Sequence, residues 1–315
     1  MATKSGDAGS ELACCARQDR SVRMHEGEVE VVEGLAARLI RDQFPELADL
    51  PIRRVEPWGT DNAIYRLGDE LVARFPRMAW AEGQPALEHE WLPVLAPELP
   101  IGLPEPVALG RPSGPYPFRW AIHRWLIGEP AGPDTIADPR VFAEDLAGVA
   151  RALQGVPTVG APPARNRARP LQEYAGEALA AIAYAGDLID QHAARTVWEK
   201  AVCAPPHDGT PVWVQGDLEG NCLTQGGKLS AIVDWGSACV GDPAVDVQVI
   251  WSPLFVKSSR AVFLEALDVD QATLERSRGA AIHQACAALR YYLDSYPLIV
   301  DRSRHKLAAL GVGVR

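Results

Sequence analysis

The sequence predicts an α+β protein in two parts, a strand-rich first third followed by a mostly helical remainder. Three observations carry the prediction. Short apolar runs, Ile52–Val55, Ala63–Leu67 and Leu71–Phe75, lie close together between polar, glycine-containing turns, the pattern of adjacent antiparallel strands. Beyond residue 140 the apolar residues recur instead at helical spacing. Within that helical half, Val212–Val214 and Leu229–Val233 are two further strand-like runs, with Gly226-Gly227 between them as a hairpin turn. With 315 residues, 47% of them hydrophobic, the chain can bury one large or two modest cores.

Taken in order, residues 1–23 are small and polar without period and are expected to form a disordered leader, with Met24 an internal candidate start. Val31, Leu35, Leu39 and Ile40 then recur at helical spacing and predict an amphipathic helix that stops before Pro45. The three strands follow, divided by Gly59-Thr60-Asp61-Asn62 and by Gly68-Asp69, and Glu82–Leu95 reads as a helix. Leu103–Leu109 is punctuated by proline and leads to a strand over Phe118–Leu126. The next stretch, GEPAGPDTIADP, has the Pro and Gly content of a boundary, dividing the chain into 24–127 and 128–315.

Phe142, Leu146, Val149, Ala150 and Leu153 form one helical stripe, and Leu171 to His192 is an Ala- and Leu-rich helical run. Between them VPTVGAPPARNRARP is rich in proline with Arg165, Arg167 and Arg169 in alternation. In an acidic chain these arginines are expected to decorate a solvated loop rather than bind phosphate. Asp242-Pro243 reads as a helix cap followed by the first helical residue. Helices are expected near Ser259–Leu267, Gln271–Ser295 and Leu298–Leu310, on stripes such as Leu274, Ile282, Leu289 and Leu293.

Composition removes several function classes. A net charge of −10 argues against a nucleic-acid partner, which calls for a basic face. No apolar span is long enough to cross a membrane, and the N-terminal stretch lacks the apolar core of a signal peptide, so a cytoplasmic protein is expected. The six cysteines show no Cys-x-x-Cys pair and no histidine at zinc spacing, which predicts reduced, packed thiols. The Walker-type phosphate loop, a Gly-x-Gly-x-x-Gly opening a helix and His-Glu-x-x-His are all absent from the sequence.

The chemistry concentrates between Val212 and Asp246. The strand-like Val212–Val214 ends in a turn carrying Asp217, Glu219 and Asn221, and Leu229–Val233 stops at Asp234-Trp235-Gly236. A hairpin of these two runs would bring Asp217, Asn221 and Asp234 to one end of adjacent strands. Phosphoryl transfer asks for such a set: one carboxylate to orient or accept the proton of an attacking hydroxyl, and oxygen ligands to hold Mg²⁺ on the phosphates. Protein kinases supply them from a catalytic loop and from an Asp-Phe-Gly turn after the next hairpin.

In order and spacing, Gln215-Gly216-Asp217, Asn221, Val233-Asp234-Trp235-Gly236 and Gly241-Asp242-Pro243 with Asp246 resemble the motifs of the aminoglycoside phosphotransferase family. These are kinase-like enzymes that phosphorylate hydroxyls on antibiotics and other small molecules. Two positions depart from the pattern: Gln215 stands where the family has His, and Asn221 follows Asp217 one position early.

The resemblance, which spans about Glu30 to Leu310, implies a two-lobed protein-kinase-like fold. Residues 24–127 would form a small β-rich nucleotide-binding lobe, and residues 128–315 a larger helical lobe for catalysis and the acceptor. It implies ATP or GTP as co-substrate with Mg²⁺, and a small-molecule hydroxyl as acceptor. Asp217 would be the catalytic carboxylate, and Asn221 and Asp234 the metal ligands. The Gly59, Thr60, Asp61 and Asn62 turn would lie over the phosphates. Arg74 would stand in the place of the strand-three lysine, with Glu88, or else Glu90, as its partner. Trp125 would open the inter-lobe crossing that meets the base. Glu219, Asp294 and Asp301 are candidate contacts for a cationic acceptor. An alternative keeps the fold for a small-metabolite substrate, or for nucleotide or ligand binding with weak catalysis.

Overall fold

The computed structural model describes residues 24–55, 59–165, 167–207 and 209–315. The expected leader, 1–23, lies outside the described residues. The first helix, α1 (Glu33–Gln43), buries the stripe Leu35, Ala36, Leu39 and Ile40. It packs on a five-stranded antiparallel sheet formed by β1 (Ile52–Arg54), β2 (Asn62–Leu67), β3 (Leu71–Pro76), β4 (Pro106–Gly110) and β5 (Trp120–Arg124). The spatial order is β1-β2-β3-β5-β4. In β3 the register sets Arg74 between Ile64 of β2 and Ala121 of β5. The proline-punctuated segment is thus itself a strand at the sheet edge, where Pro106 removes no interior ladder bond. A cluster of aromatic side chains packs with the sheet: Phe75 stacks on Trp120 and meets Tyr65 and Tyr116 edge to face.

Between β3 and β4 comes α2 (Gln84–Leu95). Its Leu92 and Leu95 belong to the second, larger hydrophobic cluster, so this helix reaches from the small sheet into the helical part. β6 (Glu129–Pro130) follows, then α3 (Pro139–Gln154), whose start is set by Asp138: its carboxylate accepts from Arg140 N at 2.8 Å, with Pro139 at the first helical position. The expected helical run from Leu171 is broken. α4 (Ala175–Ala185) ends at Gly186, at φ 62, and α5 (Gln191–Val202) restarts behind an Asp190 cap.

The central hairpin differs from the expectation. Gly226 and Gly227 do form its turn, both at positive φ, but the strands that they join are β8 (Cys222–Gln225) and β9 (Lys228–Ile232). β7 (Val212–Val214) pairs instead with β10 (Cys239–Gly241), and β6 completes the other small sheet beside β8. The physical reason is length: four residues, Cys222–Gln225, directly precede the Gly-Gly turn and match β9, whereas Val212–Val214 is separated from it by the whole polar turn. The long α8 (Gln271–Tyr291) and α9 (Pro297–Ala309) pack against each other, and α8 also packs on α4, α5 and α6 (Ala244–Val247), while α7 (Lys257–Ala266) packs on α3. Pro243 takes the cap position of α6, and Asp242 one residue earlier accepts from Ala244 N at 2.9 Å. Among the described residues, no helix is long and apolar enough to cross a membrane.

Candidate active site

The turn after β7 is held from below by a buried carboxylate. Asp246, at the start of α6, accepts the backbone N–H of Gln215 at 2.9 Å and that of Gly216 at 2.7 Å. Burial pushes its own titration up to about 6, against the two N–H groups that favour the charged form. Gly216 sits at φ +87, and a Cβ there would lie 3.2 Å from the Ser237 carbonyl.

Gln215 is fully buried and its amide is used at both ends. Its Oε1 accepts the Asp217 N–H at 2.7 Å, and its Nε2 donates to the Asp234 carbonyl at 2.7 Å. One side chain thereby clamps the Asp217 turn to the Asp234 turn, a bracing task that an amide can perform with a donor and an acceptor together. Asn221 Nδ2 donates to the Asp217 carbonyl at 2.7 Å, and the Asn221 carbonyl accepts from Val233 N at 2.9 Å. Asp217, Asn221 and Asp234 are therefore joined by a short hydrogen-bonded circuit, although the hairpin that brings them together is not the expected one.

Asp234 adopts φ 56, a left-handed conformation uncommon for a residue with a side chain, at the end of β9. Its Oδ1 lies 2.8 Å from Arg74 Nη2. Arg74 Nη1 in turn donates to both oxygens of Glu88, at 2.6 and 2.9 Å, so one guanidinium spans two carboxylates. Burial works against the Arg74 charge, but Glu88 and Asp234 outweigh it and hold the guanidinium above its ordinary value. Glu88 Oε1 also accepts the Trp235 N–H at 2.8 Å, which fixes α2 to the Asp234 turn, whereas Glu90 faces solvent. Behind this pair His123 is fully buried; burial, then the Arg74 charge, pushes its imidazole down to about 3, so it is neutral.

The Gly59–Asn62 turn is tied to the same place through a residue absent from the sequence reading. Gln84, at the start of α2, donates to Asp61 Oδ2 at 3.2 Å and accepts from Asn62 Nδ2 at 3.3 Å. A Cβ on Gly236 would lie 2.6 Å from the Gln84 Cβ, so the two turns approach through Gln84. The Thr60 carbonyl accepts from His25 Nε2 at 3.0 Å, and a Cβ on Gly59 would meet only ordinary contacts, with Ile64 Cδ1 at 3.7 Å and the Asn62 carbonyl at 3.8 Å. Trp125 stands apart: its N–H donates to the Glu70 carbonyl at 2.7 Å and its ring lies under Arg66, 4.0 Å away.

The candidate acceptor contacts are scattered. Glu219 is engaged by Lys306, while Asp294 and Asp301 are exposed. Cys222 and Cys239 are buried, and burial pushes both thiols up to about 12, which leaves them as packing residues. The Arg165–Arg169 stretch departs from the solvated loop expected of it. Arg165 is exposed and Arg169 pairs with Glu177, but the Arg167 guanidinium lies on Asp217, with Nη1 at 3.1 Å from Oδ1. Gln284 of α8 also donates to Asp217 Oδ1, at 3.1 Å. Neither partner is near Asp217 in sequence, and no spacing rule connects them.

With this geometry in place, comparison with known proteins is decisive at the level of the family. The model of the phosphotransferase enzyme family matches residues 51–282. The chain belongs to that family. Its architecture is the kinase-like one of solved phosphotransferases, with an N-terminal sheet and a helical C-terminal part. The GDP and kanamycin complex of APH(2")-IIia superposes with a TM-score of 0.70 at 20% identity, covering 88% of this chain and 98% of the other. A macrolide 2'-phosphotransferase type I gives 0.62 at 20% identity, covering 89% and 98%. The apoenzyme of macrolide 2'-phosphotransferase MphH from Brachybacterium faecium gives 0.57 at 24% identity, covering 89% and 97%. Comparison with curated protein sequences gives no match.

Proposed function

We propose that this phosphotransferase moves the γ-phosphoryl group of ATP or GTP to a hydroxyl of a small molecule, with an aminoglycoside or another antibiotic as the acceptor class. The observation that carries the reading is the circuit in which Gln215 and Asn221 fix the Asp217 turn to the Asp234 turn while Arg74 and Glu88 hold Asp234. Relatives of similar fold bind GDP and kanamycin in one case and streptomycin with ATP in another. They support the acceptor class for this chain.

In the proposed reaction Asp217 orients the acceptor hydroxyl and takes its proton. The hydroxyl oxygen forms a bond to the γ-phosphorus, and the β,γ-bridging P–O bond breaks with its electron pair leaving on the nucleoside diphosphate. Residues 24–127 hold the nucleotide, with the Gly59–Asn62 turn over the phosphates, Arg74 as their cationic contact and Trp125 at the crossing beside the base. Residues 128–315 supply the catalytic turn and the acceptor wall.

The donor set fits magnesium. Among the described residues only Nδ2 of the Asn221 amide is engaged, which leaves its oxygen available, and Asp234 has one carboxylate oxygen beyond the one on Arg74. Two protein oxygens, with phosphate and water completing the set, suit this ion. When bound, magnesium supplies positive charge to the phosphates in transfer.

The test is consumption of ATP or GTP with Mg²⁺ against a panel of aminoglycosides, macrolides, peptide antibiotics and small amino alcohols. Acceptor-dependent turnover is expected, reduced by about 10³-fold or more in Asp217→Ala with nucleotide binding retained. Full turnover in that variant refutes the reading.

A further inference from the structure

We propose that Arg167 is a further catalytic residue, one that holds Asp217 with one edge of its guanidinium and takes an oxygen of the transferring phosphoryl group with the other. The proposal rests on the reaction assigned above and adds a group that the Asp217, Asn221, Asp234 and Arg74 set lacks.

The guanidinium is planar and carries five N–H donors in two usable forks. Its terminal fork is committed: Nη1 lies 3.1 Å from Asp217 Oδ1, Nη2 donates to Oδ2 at 3.2 Å, and Nη1 also donates to the Gly216 carbonyl at 2.9 Å. The side fork, formed by Nε and the second hydrogen of Nη2, has no partner among the described residues. The side chain is about one third exposed.

The reaction itself places that ligand. An acceptor oxygen in contact with Asp217 must also lie on the line of attack at the γ-phosphorus, which brings the phosphoryl oxygens close to whatever else surrounds Asp217. The turn from Gln215 to Cys222 contains no cation of its own. Lys306, a buried cation nearby, is spent on Glu219 and on Gln284 Oε1 at 2.7 Å, and Arg302 approaches the turn at Gly220, where a Cβ would lie 2.8 Å from its Nη1, rather than at the Asp217 carboxylate. Arg167 is thus, among the described residues, the cation in direct contact with the Asp217 carboxylate through both terminal nitrogens, where an acceptor oxygen under attack would bring the phosphoryl charge.

The segment that delivers it is fixed by backbone. Val240 N donates to the Pro162 carbonyl at 2.8 Å, Ala164 N to the Val240 carbonyl at 3.1 Å, and Asp242 N to the Ala168 carbonyl at 3.0 Å. Ala168 is held at φ 58, and only glycine fits at Gly241, where a Cβ would sit 2.5 Å from the Ala168 oxygen. A strained alanine and an obligatory close approach next to Arg167 mark a loop built to aim one side chain.

The test compares Arg167→Ala and Arg167→Lys with Gln284→Ala, which loosens Asp217 without removing a cation. Two readouts are used: turnover with an acceptor found in the panel, and the affinity of ADP or GDP with Mg²⁺ in the presence and absence of aluminium fluoride, a planar mimic of the phosphoryl in transfer. In wild type, aluminium fluoride is expected to tighten diphosphate binding by tenfold or more. Arg167→Ala should lose that gain, keep diphosphate affinity within about threefold, and drop kcat by about 10³-fold. Arg167→Lys should be intermediate, and guanidine added at millimolar concentration should restore part of the Arg167→Ala rate. Retention of the fluoride gain in Arg167→Ala, a loss equal to that of Gln284→Ala, or no fluoride gain in wild type overturns the role of Arg167. Failure of the wild type to bind either diphosphate instead overturns the phosphotransfer reading itself.

Discussion

At the scale of single residues, the site is organised by groups that satisfy two neighbours at once. Arg74 joins Glu88 to Asp234, and Gln215 joins the Asp217 N–H to the Asp234 carbonyl. Removing one member of a buried pair leaves the other charged and desolvated, which costs more than the pair contributes. Glu88→Ala is therefore expected to lower the unfolding free energy by about 3–5 kcal/mol in urea titration. Truncation of the exposed Glu90 should stay within about 0.5 kcal/mol. The sequence shows Asp217, Asn221 and Asp234 through their spacing, because a motif preserves the order in which one chain visits one place. Gln84, Arg167 and Gln284 leave no such trace: each arrives from a different element, and its proximity is a product of tertiary packing alone.

At the scale of elements, the Asp217 turn is a strand end bolted to a helix start by Asp246. Burial holds its carboxyl up to about 6 in the fold, above the ordinary carboxylate value of 3.8. Between these values the folded protein holds a proton that the unfolded chain has released, so this contribution to stability is present at low pH and is lost as pH rises through 6. Asp246→Asn has no such titration. Urea unfolding from pH 4 to pH 7.5 should show the wild type losing up to about 3 kcal/mol relative to the variant as pH rises, most of it between pH 4 and 6. A difference independent of pH would contradict the assignment. Elements themselves were legible where periodicity and caps agree, as at α1 and α3. The central hairpin departs from the sequence expectation because apolarity identifies a strand without naming its partner; matching strand lengths on either side of Gly226-Gly227 decide the pairing.

At the scale of the whole molecule, the proposed function links ligand to fold, because the nucleotide would touch both the sheet and the helical part. Saturating nucleotide with Mg²⁺, at about 100 times its dissociation constant, should add roughly 2.7 kcal/mol and raise Tm by several degrees. An acceptor added alone should shift Tm less. The two-part layout could be read from composition and period, since strand and helix patterns occupy different stretches of the sequence. The sharing of α2 could not, because its Leu92 and Leu95 look like any apolar stripe until their neighbours are known. Its consequence is mechanical. A helix anchored in the larger core but carrying the carboxylate that grips Arg74 of the smaller sheet behaves as a lever with its fulcrum on one side. Any swing that parts the sheet from the helical part must stretch the Arg74–Glu88 contact, so under the proposed reaction opening for product exit and slackening of the grip on phosphate would be one displacement.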